Sequence, residues 1–300
     1  MPITIDPDLL DDYPWVIYYV VNGTAGNDTL HGTAARDKYD GKEGNDFLHG
    51  NDSADWLIGG SGNDQLNGGD GNDSLEGGDG TDYLYGTYGR DTLLGGTGDD
   101  FLDGGYGNDS LRGGEGNDYI SGYDGDDELW GDAGDDRLHG SYGNDTLHSD
   151  EGQDQLFGGE GDDALIGATG DVLKGGGGND RFYASDENAG LMVAYGEDGN
   201  DRFHLDGKMF VAKGGAGNDV YIVHEDWEGG VALSLDFDLA NDVIRIEEFT
   251  VNAISFFKDD NDKLAMKFDS GGELHFNNIA YAPGYVYEDF NIVEYFEPNA

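Results

Sequence analysis

The chain has 300 residues, 54 of them glycine and none cysteine, and its 64 acidic and 15 basic residues give a net charge of −49. The absence of cysteine excludes disulfides, zinc–thiolate sites and thiol nucleophiles, and the charge argues against nucleic acid and anionic membranes as partners. Low hydrophobicity with high net charge is also the signature of disorder, but 18 Tyr and 14 Phe are more aromatic surface than an acidic tail carries.

The N-terminus reads "MPITIDPDLLDDYPWVIYYVV". Asp6, Asp8, Asp11 and Asp12 stand where a secretory signal peptide has basic residues, and the apolar run Trp15–Val21 is too short to cross a bilayer. No transmembrane segment is predicted. Residues 1–24 are expected to cap the first coil of the repeat that follows, because an open solenoid edge invites pairing.

From residue 25 to 169 the chain repeats every nine residues. The anchor is an aspartate: Asp28, Asp37, Asp46, Asp55, Asp64, Asp73, Asp82, Asp91, Asp100, Asp109, Asp118, Asp127, Asp136, Asp145, Asp154 and Asp163, sixteen units in one register. Two residues after the anchor is Leu in fourteen units, with Tyr39 and Ile120 in the others; four residues after it is Gly in fifteen, with Ser149 the exception. A period of nine with this much glycine fits no helix. It fits a tight turn, for which glycine supplies the positive φ, and then a short strand reading outward, inward, outward, as in Gln65-Leu66-Asn67. Two units reverse the chain and bring it back, so one coil is 18 residues and sixteen units make eight coils.

Units 18 apart stack. One edge then carries Asp28, Asp46, Asp64, Asp82, Asp100, Asp118, Asp136 and Asp154, and the other carries Asp37, Asp55, Asp73, Asp91, Asp109, Asp127, Asp145 and Asp163. Carboxylates about 4.8 Å apart repel strongly, and one leucine per strand is a thin core against the entropy of ordered glycine. A hard divalent cation in each gap answers both problems. Oxygen donors without nitrogen or sulfur are calcium chemistry, and seven gaps on each of two edges predict about fourteen calcium ions or more.

"GGSGNDQLN", "GGDGNDSLE" and "GGEGNDYIS" resemble the G-G-x-G-x-D-x-U-x nonapeptide of the RTX (repeats-in-toxin) family, the hemolysin-type calcium-binding repeat. The resemblance implies an all-β fold, a parallel β-roll (a right-handed β-solenoid of 18-residue coils) with calcium in the turns. It also implies that turn carbonyls join the aspartates as ligands: those of Gly59, Ser61, Gly68, Asp70, Gly77, Asp79, Gly95, Thr97, Gly104, Tyr106, Gly113 and Glu115. It further implies passage through a type I secretion apparatus, with folding on calcium outside the cell.

Residues 170–223 continue the roll irregularly. The register slips by one at Asp171, then resumes at Asp180, Asp201 and Asp219, with a three-residue insertion near "SDENAG". These last three aspartates stay on one edge, while "GLMVAYG" and "GKMFVAKG" put Met192 and Phe210 near the expected metal places of the other. All four anchors are candidate ligands, and the roll is expected to carry metal on one edge and apolar packing on the other. Residues 224–300 lose glycine and gain period-two runs, "VALSLDF", "DVIRIEEF", "AISFFK", "KLAMKFD" and "ELHFNNI", with "DDNDK" and "DSGG" as hairpin turns. They predict a C-terminal antiparallel β cap, and the resemblance places a secretion signal around "EDFNIVEYFEPNA".

No catalytic constellation emerges: His31, His49 and His139 share one outward column, and no Ser/His/Asp set or metalloprotease motif is present. Two aromatic columns, Tyr83, Phe101 and Tyr119 with Phe47, and Tyr88, Tyr106 and Tyr142, are explained by stacking between coils or, alternatively, as a contact surface whose occupant would be a surface glycan, a partner domain or another copy of the protein. The sequence thus predicts a secreted or cell-surface calcium-binding protein, not an enzyme, with a structural, adhesive or matrix role. The alternatives are the calcium-binding and secretion module of an exported enzyme, or a self-assembling surface-layer or filament subunit.

Overall fold

The computed structural model describes residues 19–184, 191–205, 209–223, 231–235, 243–247, 254–258, 263–268, 273–280 and 292–295. Residues 1–18 of the expected N-terminal cap, the "SDENAG" insertion and most of the segment expected to carry the secretion signal lie outside the described residues.

Among the described residues the chain forms 29 strands, β1 (Tyr19–Asn22) to β29 (Ile292–Tyr295), and no helix. From β1 to β25 (Val243–Glu247) consecutive strands alternate between two sheets. Each strand pairs in parallel with the strand one coil away, as β6 (Gln65–Asp70) does with β8 (Tyr83–Tyr88), and β5 (Trp56–Ser61) with β7 (Ser74–Asp79). Gln65 lies beside Tyr83 and Leu66 beside Leu84, which is the 18-residue coil read from the spacing of the aspartates. The fold is the expected parallel β-solenoid.

The strands are longer than expected, six residues rather than three, because they run on through the glycine pair. Each therefore turns two residues inward, Leu66 and Gly68 in β6. The leucines from Leu48 to Leu165, with Ile120, form one unbroken and almost solvent-free column pair.

Beyond Leu165 the core changes character. In one sheet Phe182 of β19 (Arg181–Ala184), Phe203 of β21 (Arg202–Leu205) and Tyr221 of β23 (Val220–Val223) replace leucine, and their rings stack at 4.7 and 5.1 Å. In the facing sheet Leu173 is followed by buried Ala194 and Ala212. Large residues on one side match small ones on the other, so the core keeps its width at native packing density. Phe203→Ala removes the middle ring of the stack. It is expected to lower stability by about 3–5 kcal/mol, measured by thermal or denaturant unfolding in saturating calcium, whereas a cost under about 1 kcal/mol would contradict this packing.

At the C-terminal end β24 (Val231–Leu235) pairs in parallel with β28 (Glu273–Ala280). β28 then continues antiparallel to β27 (Lys263–Phe268), and β27 to β26 (Ile254–Lys258). The antiparallel cap thus extends one of the two sheets, and the expected turns, residues 259–262 and 269–272, lie outside the described residues.

Candidate metal centre

Each anchor aspartate sits at the entry to a strand, at a roll edge. In the regular repeat its carboxylate reaches back one coil: Oδ1 of Asp64 accepts the backbone N–H of Asp46 at 2.7 Å, and Oδ1 of Asp82 that of Asp64 at 2.7 Å. The same bond recurs from Asp46 to Asp219 along two separate columns. Asp64 and Asp73, nine residues apart, belong to different columns and are not partners.

The second oxygen is the informative one. In seventeen anchors, Asp46 to Asp163 together with Asp180, Asp201 and Asp219, Oδ2 is buried and accepts no hydrogen bond. In sixteen of them it is held over the glycine five residues earlier, and before Asp154 that position is Ser149. A Cβ on Gly59 would collide with Oδ2 of Asp64 and would stand 2.7 Å from the carbonyl oxygen of Gly77 in the next coil. Glycine is required there because the carboxylate and a carbonyl oxygen converge on the space a side chain would fill. Of the predicted carbonyls, those of Gly59, Gly68, Gly77, Gly95, Gly104 and Gly113 all stand at this position, each beside the aspartate of the preceding coil. Those of Ser61, Asp79, Thr97, Tyr106 and Glu115 accept an inter-coil N–H from a turn glycine and keep one lone pair.

Burial without counter-charge sets the electrostatics. Asp91, Asp100, Asp118 and Asp145 are pushed up to about 7, and Asp127 to about 8. Desolvation is the main cause, the neighbouring carboxylates of the column add to it, and the amide bond to Oδ1 partly offsets it. Basic side chains offer little relief, since the ion pairs of the described residues join Lys42 to Asp40 and Arg112 to Asp132, outside both columns. Among the described residues no three His, Cys, Asp or Glu side chains converge. A cation held here takes its remaining ligands from backbone carbonyls. The donor set fits calcium: hard oxygens only, carboxylate plus carbonyl, around an orphaned anionic atom.

A protein-family model, RTX calcium-binding nonapeptide repeat, matches residues 20–48, 49–84, 76–111, 85–120, 103–138, 139–171 and 157–188, which together span more than half of the chain. The chain belongs to the RTX family. No curated protein matches it.

Three predicted ligands of this RTX roll differ from the rest. Oδ2 of Asp28 accepts the N–H and hydroxyl of Thr24 at 2.6 and 3.0 Å, and Oδ2 of Asp37 those of Thr33 at 2.6 and 3.0 Å. Oδ2 of Asp171 accepts the Ser149 hydroxyl and the Ala168 N–H, both at 2.6 Å. Protein donors stand where the other turns leave the oxygen bare. These aspartates begin the two columns and end one of them. The other column runs on through Asp180, Asp201 and Asp219. Beyond Asp171 its own column places Met192, 1% exposed, at the anchor position, with Phe210 paired to it in register.

Sequence reasoning passed over the residue before the anchor. Its side chain reaches forward where the aspartate reaches back: Oδ1 of Asn45 accepts the N–H of Asn63, and Asn144 donates backbone and side-chain N–H to Asp126, holding that carboxyl below the usual range. The two ladders grip each turn from opposite sides. The recurring Asn-Asp pair was the available signal.

The predicted aromatic surface is partly assembled. Tyr83, Phe101 and Tyr119 stack at 6.0 and 5.2 Å, and Tyr88 on Tyr106 at 5.0 Å. Phe47 instead meets His31, separated from Tyr83 by Gln65, and Asp124 comes between Tyr106 and Tyr142. Among the described residues no helix is long and apolar enough to cross a membrane.

Proposed function

We propose that this RTX protein is exported through a type I apparatus and folds on calcium outside the cell, where it serves as a structural or adhesive element of the surface or matrix. One observation carries the calcium-driven switch: eighteen buried aspartate oxygens in two columns, Oδ2 of seventeen anchors and Oδ1 of Asp37, with no hydrogen-bond donor. Without cations, buried carboxylates of one sign cost several kcal/mol each. With calcium, every occupied site stabilises the roll by linkage, and extracellular modules of this chemistry bind at about 10⁻⁴–10⁻³ M. Such a chain stays unfolded at cytosolic calcium and folds after export.

The ends of the columns refine the metal content. A backbone N–H aimed at a carboxylate oxygen puts partial positive charge where a cation would sit. The turns of Asp28, Asp37 and Asp171 are closed by protein donors and take no ion in this reading. The columns from Asp46 to Asp154 and from Asp55 to Asp219 then hold about fifteen ions, one between successive rungs.

Nothing in the two columns supplies a nucleophile or general base beyond the carboxylates that the metal takes up, which favours a structural role over catalysis. The export reading is tested in the producing cells. The full chain is expected in the medium or protease-accessible on intact cells, and retention in the cytoplasm with protection from protease would refute it.

A further inference from the structure

The outer surface of the even-numbered sheet carries a cleft of about 310 Å³ that the calcium columns do not use. It spans β6, β8, β10 (Phe101–Tyr106) and β12 (Tyr119–Asp124). Tyr85, Tyr88, Tyr106 and Tyr123 wall it, with Asn67, Thr87, Asp103 and Gly105. Tyr106 stacks on Tyr88, and Tyr123 stands at 80° to Tyr106 at 5.3 Å, so the wall turns a corner. The three outer rings remain 43–52% exposed. That is a large aromatic surface for the chain to leave in water.

The backbone here is held at a cost. Gly69, Thr87, Gly105 and Tyr123 are register partners in one column, and all have positive φ: 108°, 89°, 97° and 81°. Glycine adopts this conformation freely, while a β-branched threonine and a tyrosine do not. The same positive φ continues along the column outside the cleft, at Asn51 (81°) and Ser141 (88°), so the turn geometry of the roll imposes it. Gly105 lies between them and leaves the floor open.

The cleft also has a sign. The half-buried carboxylate of Asp103 stands beside Tyr85 in its column and lines the cleft. None of the lining residues is Lys or Arg, and the whole chain carries −49. Anions are repelled from such a surface and cations drawn to it. A bare metal ion requires a closed cage of hard oxygens, and the cleft offers one carboxylate, one amide and phenols. Charge with apolar shoulders fits it better: aromatic rings attract cations and the carboxylate pairs with them.

We propose that this cleft binds an organic cation, an alkylated ammonium or a guanidinium group. The test is isothermal titration of the calcium-saturated full chain with choline, with arginine amide, and with 3,3-dimethylbutanol, the uncharged isostere of choline. At least one cation is expected to bind saturably with Kd at or below ~10 mM, and the isostere about fivefold or more weakly. Tighter binding of choline identifies a quaternary ammonium as the ligand, and tighter binding of arginine amide a guanidinium.

Asp103→Asn is expected to weaken binding about tenfold. Tyr123→Gly is expected to weaken it about fivefold while leaving the thermal midpoint unchanged or raised, because the aromatic wall goes and the strain goes with it. Absence of saturable cation binding, equal affinity for the isostere, or full binding by Asp103→Asn overturns the proposal.

Discussion

Asp109→Asn is expected to cost the roll at least one bound calcium ion, while Asp171→Asn leaves the ion count unchanged. Asp109 lies mid-column between Asp91 and Asp127, and its Oδ2 is buried without a donor. Its loss halves the negative charge that one cation can draw from two neighbouring rungs. At calcium a hundredfold above Kd each site contributes about 2.7 kcal/mol. Asp109→Asn should therefore destabilise the calcium-loaded protein by about 3 kcal/mol or more. The effect should spread, because each coil of a solenoid is supported only by its neighbours. Asp171 has both oxygens engaged, Oδ1 by the N–H of Asp154 and Oδ2 by Ser149 and Ala168. Its replacement disturbs hydrogen bonds and no ion. Native mass spectrometry reads the counts directly, and loss of an ion from Asp171→Asn would contradict the assignment of metal-free ends.

Acid should partly replace calcium. Buried anchors such as Asp55, Asp91, Asp118 and Asp127 are raised to about 7 or 8 in the fold, against about 3.9 in the unfolded chain. A group raised in the folded state contributes stability that is fully present below its unfolded value and is lost as pH rises through its folded value. The calcium-free chain is accordingly least stable above about pH 8 and gains β structure as pH falls from 8 toward 5. Protons and calcium compete for the same oxygens, so the calcium midpoint should rise over the same interval. Circular dichroism of dialysed, calcium-free protein checks the sign, and loss of β signal on acidification would be the wrong one.

Much of this was legible in the sequence for a physical reason. A solenoid repeats its environment, so one residue type recurs wherever one demand recurs, and Asp64 announces Asp46 and Asp82. The coil length, the columns, the departure at Asp171 and the replacement of the anchor aspartate by Met192 and Phe210 all follow from register. What register could not show was local bonding. Nothing in the spacing marks Thr24 and Thr33 as donors, through hydroxyl and amide, to Asp28 and Asp37. Ser149 read as a break in a glycine column, and it is a donor to an aspartate 22 residues away. The compensation between Phe203 and Ala194 was equally hidden, since it depends on which residues face each other across the core.

If calcium is part of the fold, circular dichroism of the full chain, titrated with calcium from a chelated start at neutral pH, shows a disordered spectrum without calcium and a cooperative rise of β signal, with a midpoint near 10⁻⁴–10⁻³ M. A β spectrum that survives complete removal of calcium at neutral pH would contradict it.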